Sequence, residues 1–362
     1  MLAMELDHDE AARERYVVSL KWHINLDLGP QLRSAYEGQA KPRFQRQHGR
    51  SPKDRHEVRE LMLTEPSYQA WGSLSYLAQE LMWTAIETEI ARMQPALNTG
   101  SKVVRPRGSL TVDPAFRAPR YVTAVDIHLQ PGGYALDLGE GDVTAGAFYE
   151  GATRMYALGQ GIRIRGNRAL PEVLAELKRQ YPRLAPKRIL DIGCNIGGSS
   201  MACKDVFPEA EVYGIDIGAG LIRYAHARAE SVDKAIHFSV QNGERTNFAD
   251  GFFDLVASGT LLHETSYKAI YNIFQEAHRL LAPGGVMAHL EIPVRHADMD
   301  IFTQFGHDWS THFNAEPFWG TLHDMDVLDP MVKGGFARNK CWQRYISLPN
   351  GSRWWVCGAQ KS

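Results

Sequence analysis

Between Arg188 and Ser200 the sequence reads RILDIGCNIGGSS, and no other stretch restricts the fold as much. A hydrophobic run ends in Asp191, a turn carrying Gly193, Asn195, Gly197 and Gly198 follows, and a helix-compatible segment opens behind it. Glycines suit such a turn because the backbone must bend sharply and approach a ligand with no Cβ in the way. The helix start behind it presents unpaired N–H groups and a partial positive charge. The same alternation continues downstream. Strands are expected at Arg188–Ile192, Glu211–Ile215, Ile236–Val240, Phe253–Ala257 and Gly285–Ile292, and helices at Pro171–Tyr181, Gly198–Phe207, Ala219–Glu230 and Ser266–Leu281. This βαβα order implies a parallel sheet with helices on both faces.

The first 98 residues have a different texture, helical and without strand alternation. From Tyr68 to Met93, Trp71, Leu74, Leu77, Leu81, Ala85, Ile86 and Ile90 fall on one helical stripe. A long core helix of a bundle accounts for the stripe; a dimerisation or lid helix is the sharper alternative. Residues 41–56 hold six Lys or Arg and one Asp, which we read as a solvated turn between helices rather than a nucleic-acid patch, since no aromatic platform accompanies them. Residues 99–120, rich in Pro, Gly, Ser and Arg, read as a linker or crossing segment.

Composition narrows the class. The 362 residues carry 40 Lys+Arg against 42 Asp+Glu, a formal charge of −2, which does not suit a dedicated nucleic-acid binder. Cys194, Cys203, Cys341 and Cys357 form no C-x-x-C pair, so free thiols and a reducing compartment are expected. The acidic, charged N-terminus lacks a signal-peptide core, and no apolar run reaches the roughly 18 residues of a membrane span. A cytoplasmic protein is the expectation.

Two cofactor classes use a strand, glycine turn and helix start. A dinucleotide fold wants G-x-G-x-x-G, and Asn195 stands where its second glycine would admit the pyrophosphate. Asp191, two residues before the first glycine, instead places a carboxylate near a cationic or amine-bearing ligand. The stretch resembles the first motif of class I S-adenosylmethionine-dependent methyltransferases, an acidic residue followed by G-x-G-x-G, with Asn195 in place of the middle glycine. Asparagine tolerates left-handed backbone angles better than most residues. Three further stretches fit the family in order: VYGIDIG, QNGERTNFADGFFDLVASG and RLLAPGGVMAHLEIP.

The resemblance implies an α/β fold, a doubly wound, mostly parallel seven-stranded Rossmann-like sheet. An N-terminal helical domain is expected at 1–120, a connecting and cofactor-lid segment at 121–184, and the methyltransferase domain at 185–362 with an acceptor-pocket insertion near 294–335. It implies S-adenosyl-L-methionine as cofactor. Asp191, Gly193, Asn195 and Gly197 would form the cofactor loop, Asp216 would accept the ribose hydroxyls, Ile217 would pack on the adenine, and Asn242 and Gly243 would lie at its edge. Ser258 would complete the cofactor site, and Tyr149, Arg154 and Tyr156 would close over the methionine end, Arg154 on its carboxylate.

Methyl transfer is an in-line displacement in which the cofactor supplies the reactivity and the protein supplies alignment and a dry pocket. A general base is needed only for a poor nucleophile such as a hydroxyl. Ligands of open α/β sheets bind beyond the carboxyl ends of the strands. There lie His263 and Glu264, then Glu291, and after it a stretch dense in His, Asp and aromatics that includes His307, Asp308, Glu316 and Trp319. His263 and His307 are the leading base candidates, with Glu264 beside them. His296, Asp298, Asp300, His307, His312 and His323 admit a metal reading, but no tight ligand motif occurs and no metal is expected.

The function expected is methylation of a small molecule, foremost at oxygen of an aromatic or hydrophobic acceptor. Nitrogen, carbon and sulfur acceptors, RNA or protein methylation, and a non-catalytic cofactor-binding module are the alternatives, with a nicotinamide oxidoreductase behind them. The expected partner is the small-molecule acceptor, with a homodimer as a further possibility.

Overall fold

The computed structural model describes residues 5–159, 169–292, 299–348 and 353–362. Eight strands form one sheet: β1 (Ser109–Thr111), β2 (Arg188–Ile192), β3 (Glu211–Asp216), β4 (His237–Val240), β5 (Phe253–Gly259), β6 (Leu281–Glu291), β7 (Cys341–Ser347) and β8 (Arg353–Gln360), in the order β1-β4-β3-β2-β5-β6-β8-β7. Strands β1 to β6 run parallel, and β8 is antiparallel to both β6 and β7. The strand order reverses at β2, because β3 pairs on one side of it and β5 on the other. An open α/β sheet binds its ligands at such a switch point.

The five strands expected between 188 and 292 are all present. The eighth strand, β1, lies inside the segment read as a linker. Its Pro- and Gly-rich flanks hid three extended residues that only a neighbouring strand could order, and β1 pairs with β4 from Ser109↔His237 to Thr111↔Ser239.

Helices occur in chain order as α1 (His8–Trp22), α2 (Gly29–Ala35), α3 (Lys41–His48), α4 (Arg55–Met62), α5 (Pro66–Gly100), α6 (Arg120–Thr123), α7 (Thr144–Gly159), α8 (Ala169–Gln180), α9 (Gly198–Val206), α10 (Ala219–Glu230), α11 (Tyr267–Leu280), α12 (Ile301–His307), α13 (Trp309–Phe313), α14 (Trp319–Asp324) and α15 (Leu328–Lys333). Residues alternate along each strand between two cores. Ile189, Val212, Phe238, Leu255 and Val286 pack against α8, α9 and α10, whereas Leu190, Ile215, Val256 and Met287 pack against α11 and α15. Each fully buried aliphatic side chain contributes about 1.5–3 kcal/mol.

The N-terminal helices lie over the cofactor-loop end of the sheet. Val17 of α1, Met82, Ile86 and Ile90 of α5, and Phe148 and Met155 of α7 share a core with Ile196 of the glycine turn and with Leu221 and Tyr224 of α10. The buried face of α5 is rotated from the expected stripe: Leu77 is exposed, while Gln79 and Glu89 are buried. Part of the basic run is helix α3, and Arg55 is buried, paired with Asp324 at 2.6 Å and with Asp308 at 3.6 Å. That pair ties the N-terminal helices to the 299–335 segment, so the expected boundary at residue 120 does not separate two independent units. Among the described residues no helix is long and apolar enough to cross a membrane.

Candidate active site

The loop between β2 and α9 takes positive φ at each of the three motif positions: Gly193 (68°), Asn195 (48°) and Gly197 (76°). Asn195 thus adopts the left-handed conformation that a glycine would take there. At Gly193 a Cβ would lie 2.6 Å from a Leu261 methyl, so the loop approaches the β5 end more closely than a side chain permits.

Asp191 is fully buried, and its Oδ2 accepts the hydroxyls of Ser199 (2.5 Å) and Ser200 (2.6 Å). Burial pushes its pKa up to about 7 against those two hydrogen bonds. Its Oδ1 is buried with no partner. Asp216 ends β3, where Oδ2 accepts the Asn195 N–H at 2.9 Å and Oδ1 the Gly218 N–H at 3.1 Å. One donor per oxygen leaves lone pairs for two further donors. A loop of positive-φ residues, an orphan carboxylate oxygen and a carboxylate with spare acceptor capacity fit an amine- and diol-bearing nucleoside. These residues therefore suit S-adenosylmethionine. Ile217 is half-buried beside Asp216, and Asn242 holds its turn by accepting the Glu244 N–H at 2.9 Å. Gly243 packs so closely that a Cβ would lie 2.5 Å from Ile192.

A strap from the N-terminal half covers this end. A Cβ at Gly218 would lie 2.3 Å from the Tyr134 carbonyl oxygen, so the strap rests on the start of α10. Tyr149 packs on Tyr134, with ring centroids 6.2 Å apart, and lies within electrostatic reach of Asp216 on one side and of Glu264 and His128 on the other.

Two cofactor expectations are corrected. Arg154 is engaged by Glu14 and Glu89 of the N-terminal helices, so its guanidinium serves that layer and not a cofactor carboxylate. Ser258 is buried within the sheet, with its hydroxyl on His289 Nδ1 at 2.6 Å in the adjacent strand.

On the acceptor side, His263 sits on the short 3-10 turn Leu262–Glu264 that follows β5. Glu291, at the end of β6, takes the Leu262 N–H with Oε1 (2.5 Å) and faces His263 Nδ1 with Oε2 (2.6 Å). One carboxylate thereby fixes both the turn and the imidazole on it. The other ring nitrogen, Nε2, lies 3.4 Å from Glu264 Oε1, and the Trp319 indole meets the ring edge-on at 5.1 Å. Burial disfavours a charge on His263, but Glu291 and Glu264 outweigh it and raise its pKa well above the usual histidine range. His307 is farther off: a row of rings runs from His263 through Trp319 and His323 to His307. His296 and Asp298 lie outside the described residues.

The other half of this cluster joins Glu264, Glu316 and Tyr156 to His128, Tyr134, Asn314 and Gln79, four residues that no motif marked as site residues. Glu264 Oε1 faces His128 Nε2 at 2.9 Å and accepts the Tyr134 hydroxyl at 3.0 Å. His128 Nδ1 lies 3.1 Å from Glu316 Oε1, which also takes the Asn314 amide at 2.5 Å. Gln79 of α5 donates to Asn314 Oδ1 and to the Tyr156 hydroxyl, and accepts from Lys21 of α1, whose pKa burial pushes down to about 8. The local signals were the histidine just before Pro131-Gly132-Gly133-Tyr134 and the polar Gln79 inside an apolar helix. Among the described residues, His128, Glu264 and Glu316 are the one group whose ligand-type atoms all lie within 4.8 Å of one another.

Residues 189–285 match a family described as a methyltransferase domain. Among curated proteins, the chain is similar to a demethylmenaquinone methyltransferase of Thermus thermophilus, 35% identical over 111 residues, 30% of this chain and 49% of that protein. It is similar to a malonyl-[acyl-carrier protein] O-methyltransferase of Legionella pneumophila, 30% identical over 167 residues, 41% of this chain and 56% of that protein. It also resembles phosphoethanolamine N-methyltransferase 1 of Arabidopsis thaliana, 31% identical over 100 residues, 27% of this chain and 20% of that protein. The matches thus span about half the length of the first two relatives and a fifth of the third.

Proposed function

We propose that this chain, a class I S-adenosylmethionine-dependent methyltransferase by its domain at residues 189–285, methylates the hydroxyl of a small aromatic or hydrophobic acceptor. S-adenosylmethionine, when bound, supplies the electrophilic methyl group. Asp191, the Gly193–Gly197 loop and Asp216 would hold it, with Tyr149 and the Tyr134 strap above. The observation that carries the oxygen reading is the Glu291–His263 pair at 2.6 Å, at the carboxyl ends of β5 and β6. A carboxylate that fixes one imidazole nitrogen leaves the other to take the acceptor's proton. His263 Nε2 is that nitrogen, and the Trp319 indole against it supplies an apolar wall. Glu264, kept ionised by His128 and His263, faces that nitrogen at 3.4 Å and stabilises the proton once His263 has taken it.

A second reading is methylation of an amine, which would bind as the ammonium ion and pass its proton to a buried carboxylate before the nitrogen takes the methyl group. It is favoured by the second carboxylate oxygens of Glu264 and Glu316, both buried without a partner, which suit a cationic acceptor. The deciding experiment incubates the purified chain with S-adenosylmethionine and a panel of phenols, carboxylic acids and primary amines, following S-adenosylhomocysteine release. Turnover of phenols that falls at least a hundredfold in His263→Gln supports the oxygen reading. Turnover confined to amines and indifferent to His263→Gln replaces it with the second.

A further inference from the structure

His128 holds a left-handed backbone conformation (φ 60°, ψ 14°), and Leu129 follows it at φ 57°. Non-glycine residues stay in that region only where their surroundings over-determine them. His128 is held at both ends. Its carbonyl oxygen accepts the Trp83 indole N–H (2.6 Å) and the Gln79 amide (3.4 Å) from α5. Its ring lies between Glu264 at Nε2 and Glu316 at Nδ1.

We propose that His128 is a positioning residue of the methyl-transfer site: as an imidazolium it gives one N–H to Glu264 and one to Glu316, drawing the Glu264 charge away from His263 and joining the N-terminal helices to the acceptor side. A neutral imidazole has a single N–H and can serve only one of the two carboxylates. Both carboxylates are buried, where an unpaired charge is strongly unfavourable. The neighbouring amides agree in direction. Lys21 has only donors, so Gln79 Oε1 must accept from it; Gln79 Nε2 then donates to Asn314 Oδ1, and Asn314 Nδ2 donates to Glu316. Asn314 Nδ2 also lies 2.8 Å from His128 Nδ1, an approach in which a neutral ring would accept from the amide, whereas the imidazolium turns its own N–H to Glu316 and leaves the amide to Glu316 alone. A helix at the start of the chain therefore reaches the acceptor side through a chain of side chains.

The consequence for catalysis concerns His263. Among the described residues, the charged groups that face its ring are Glu291 and Glu264, with the neutral Trp319 beside them; those that face His128 are Glu264 and Glu316, with the Tyr134 and Tyr156 rings at its edges. Glu264 is thus shared between two imidazoles, 2.9 Å from one and 3.4 Å from the other. While His128 holds it, Glu264 stabilises a proton on His263 less than it otherwise would, which favours the neutral ring that a base requires. This use of the clamp rests on the oxygen reading above, but the clamp itself is tested without turnover.

The full chain is labelled with 15N-histidine and titrated by NMR from pH 6 to 9. Both His128 nitrogens are expected to carry protons at pH 7.5. In His128→Gln the His263 titration is expected to move up by about one pH unit or more, as Glu264 closes on Nε2, with S-adenosylmethionine affinity within threefold of the parent. Glu316→Gln, nearly isosteric, is expected to leave His128 with one proton near neutral pH, and it decides the matter if His128→Gln does not fold. A singly protonated His128 in the parent chain, or an unmoved His263 titration in His128→Gln, would overturn the clamp. So would excess Zn2+ that displaces a ring proton and binds one nitrogen, which would make the three side chains a metal site. Inactivity on the acceptor panel with these titrations as expected would instead remove the oxygen reading and leave the clamp standing.

Discussion

Asp216 Oδ2 accepts the backbone N–H of Asn195 at 2.9 Å, so the carboxylate expected to hold the ribose also holds the turn expected to hold the rest of the nucleoside. The two are 21 residues apart and come from neighbouring parallel strands, β2 and β3. One substitution at Asp216 therefore removes ligand contacts and loosens the loop together.

Asp216→Ala is expected to weaken S-adenosylmethionine binding at least tenfold, since two hydrogen bonds to the ribose account for about 1–3 kcal/mol. Asp216→Asn, which keeps one acceptor oxygen, is expected to fall between parent and Ala. Calorimetric titration checks this, and affinity unchanged in a folded Ala variant would remove the ribose role.

Asn195 at φ 48° is expected to be replaceable by glycine and not by alanine. Left-handed backbone costs an L residue with a Cβ roughly 1–2 kcal/mol, and asparagine bears it better than alanine. Asn195→Ala should lower stability by about 1 kcal/mol, while Asn195→Gly should stay close to the parent. Urea midpoints of the two variants that coincide would show that the loop does not demand this conformation.

His263 takes a proton only when neutral, and Glu291 and Glu264 raise its proton affinity. Turnover should therefore fall as the pH drops through a pKa above the ordinary histidine value of about 6.5, leaving the working range on the alkaline side. Glu291→Gln removes the nearer carboxylate, so it should lower kcat tenfold or more and shift that limb to lower pH. A pH–rate limb that ignores Glu291→Gln would remove His263 as the base.

Glu89 is buried beside Arg154, and its pKa is raised from 4.5 to about 7 by burial and by Glu14, against the pull of Arg154. Between those values the folded chain keeps a proton that the unfolded chain has released, so this residue makes stability fall as pH rises from about 4.5 to about 7. Glu89→Gln should flatten that slope, making the variant relatively more stable than the parent at pH 8 than at pH 5. Thermal unfolding at the two pH values tests it; an unchanged difference between them would count against the assignment.

Much of the sheet was legible because its signals are local. Alternating strand and helix lengths and the Asp191–Gly198 turn specify backbone geometry through the residues that adopt it. Asn195 is a good instance, since the one departure from the glycine pattern occupies the conformation the pattern demands. The misreadings have the opposite character. Arg154 looked available to a ligand because Glu14 and Glu89, its partners, are 140 and 65 residues away in sequence. Ser258 was placed among the cofactor residues because its hydrogen-bond partner, His289, stands on another strand. The apolar stripe on α5 was misplaced because Gln79 and Glu89 are buried against polar partners, Asn314 and Arg154, that no periodicity reveals.

The sequence by itself determined the alternation of strands and helices from residue 188 to 292, the left-handed turn after β2 and the carboxylates that end β2 and β3, because each depends on contiguous residues and their backbone preferences. Only the tertiary structure decided which carboxylate faces which imidazole. His128, His263, Glu264, Glu291 and Glu316 arrive from four separate segments, and their proton states follow from distances of about 3 Å that exist only once those segments are packed together.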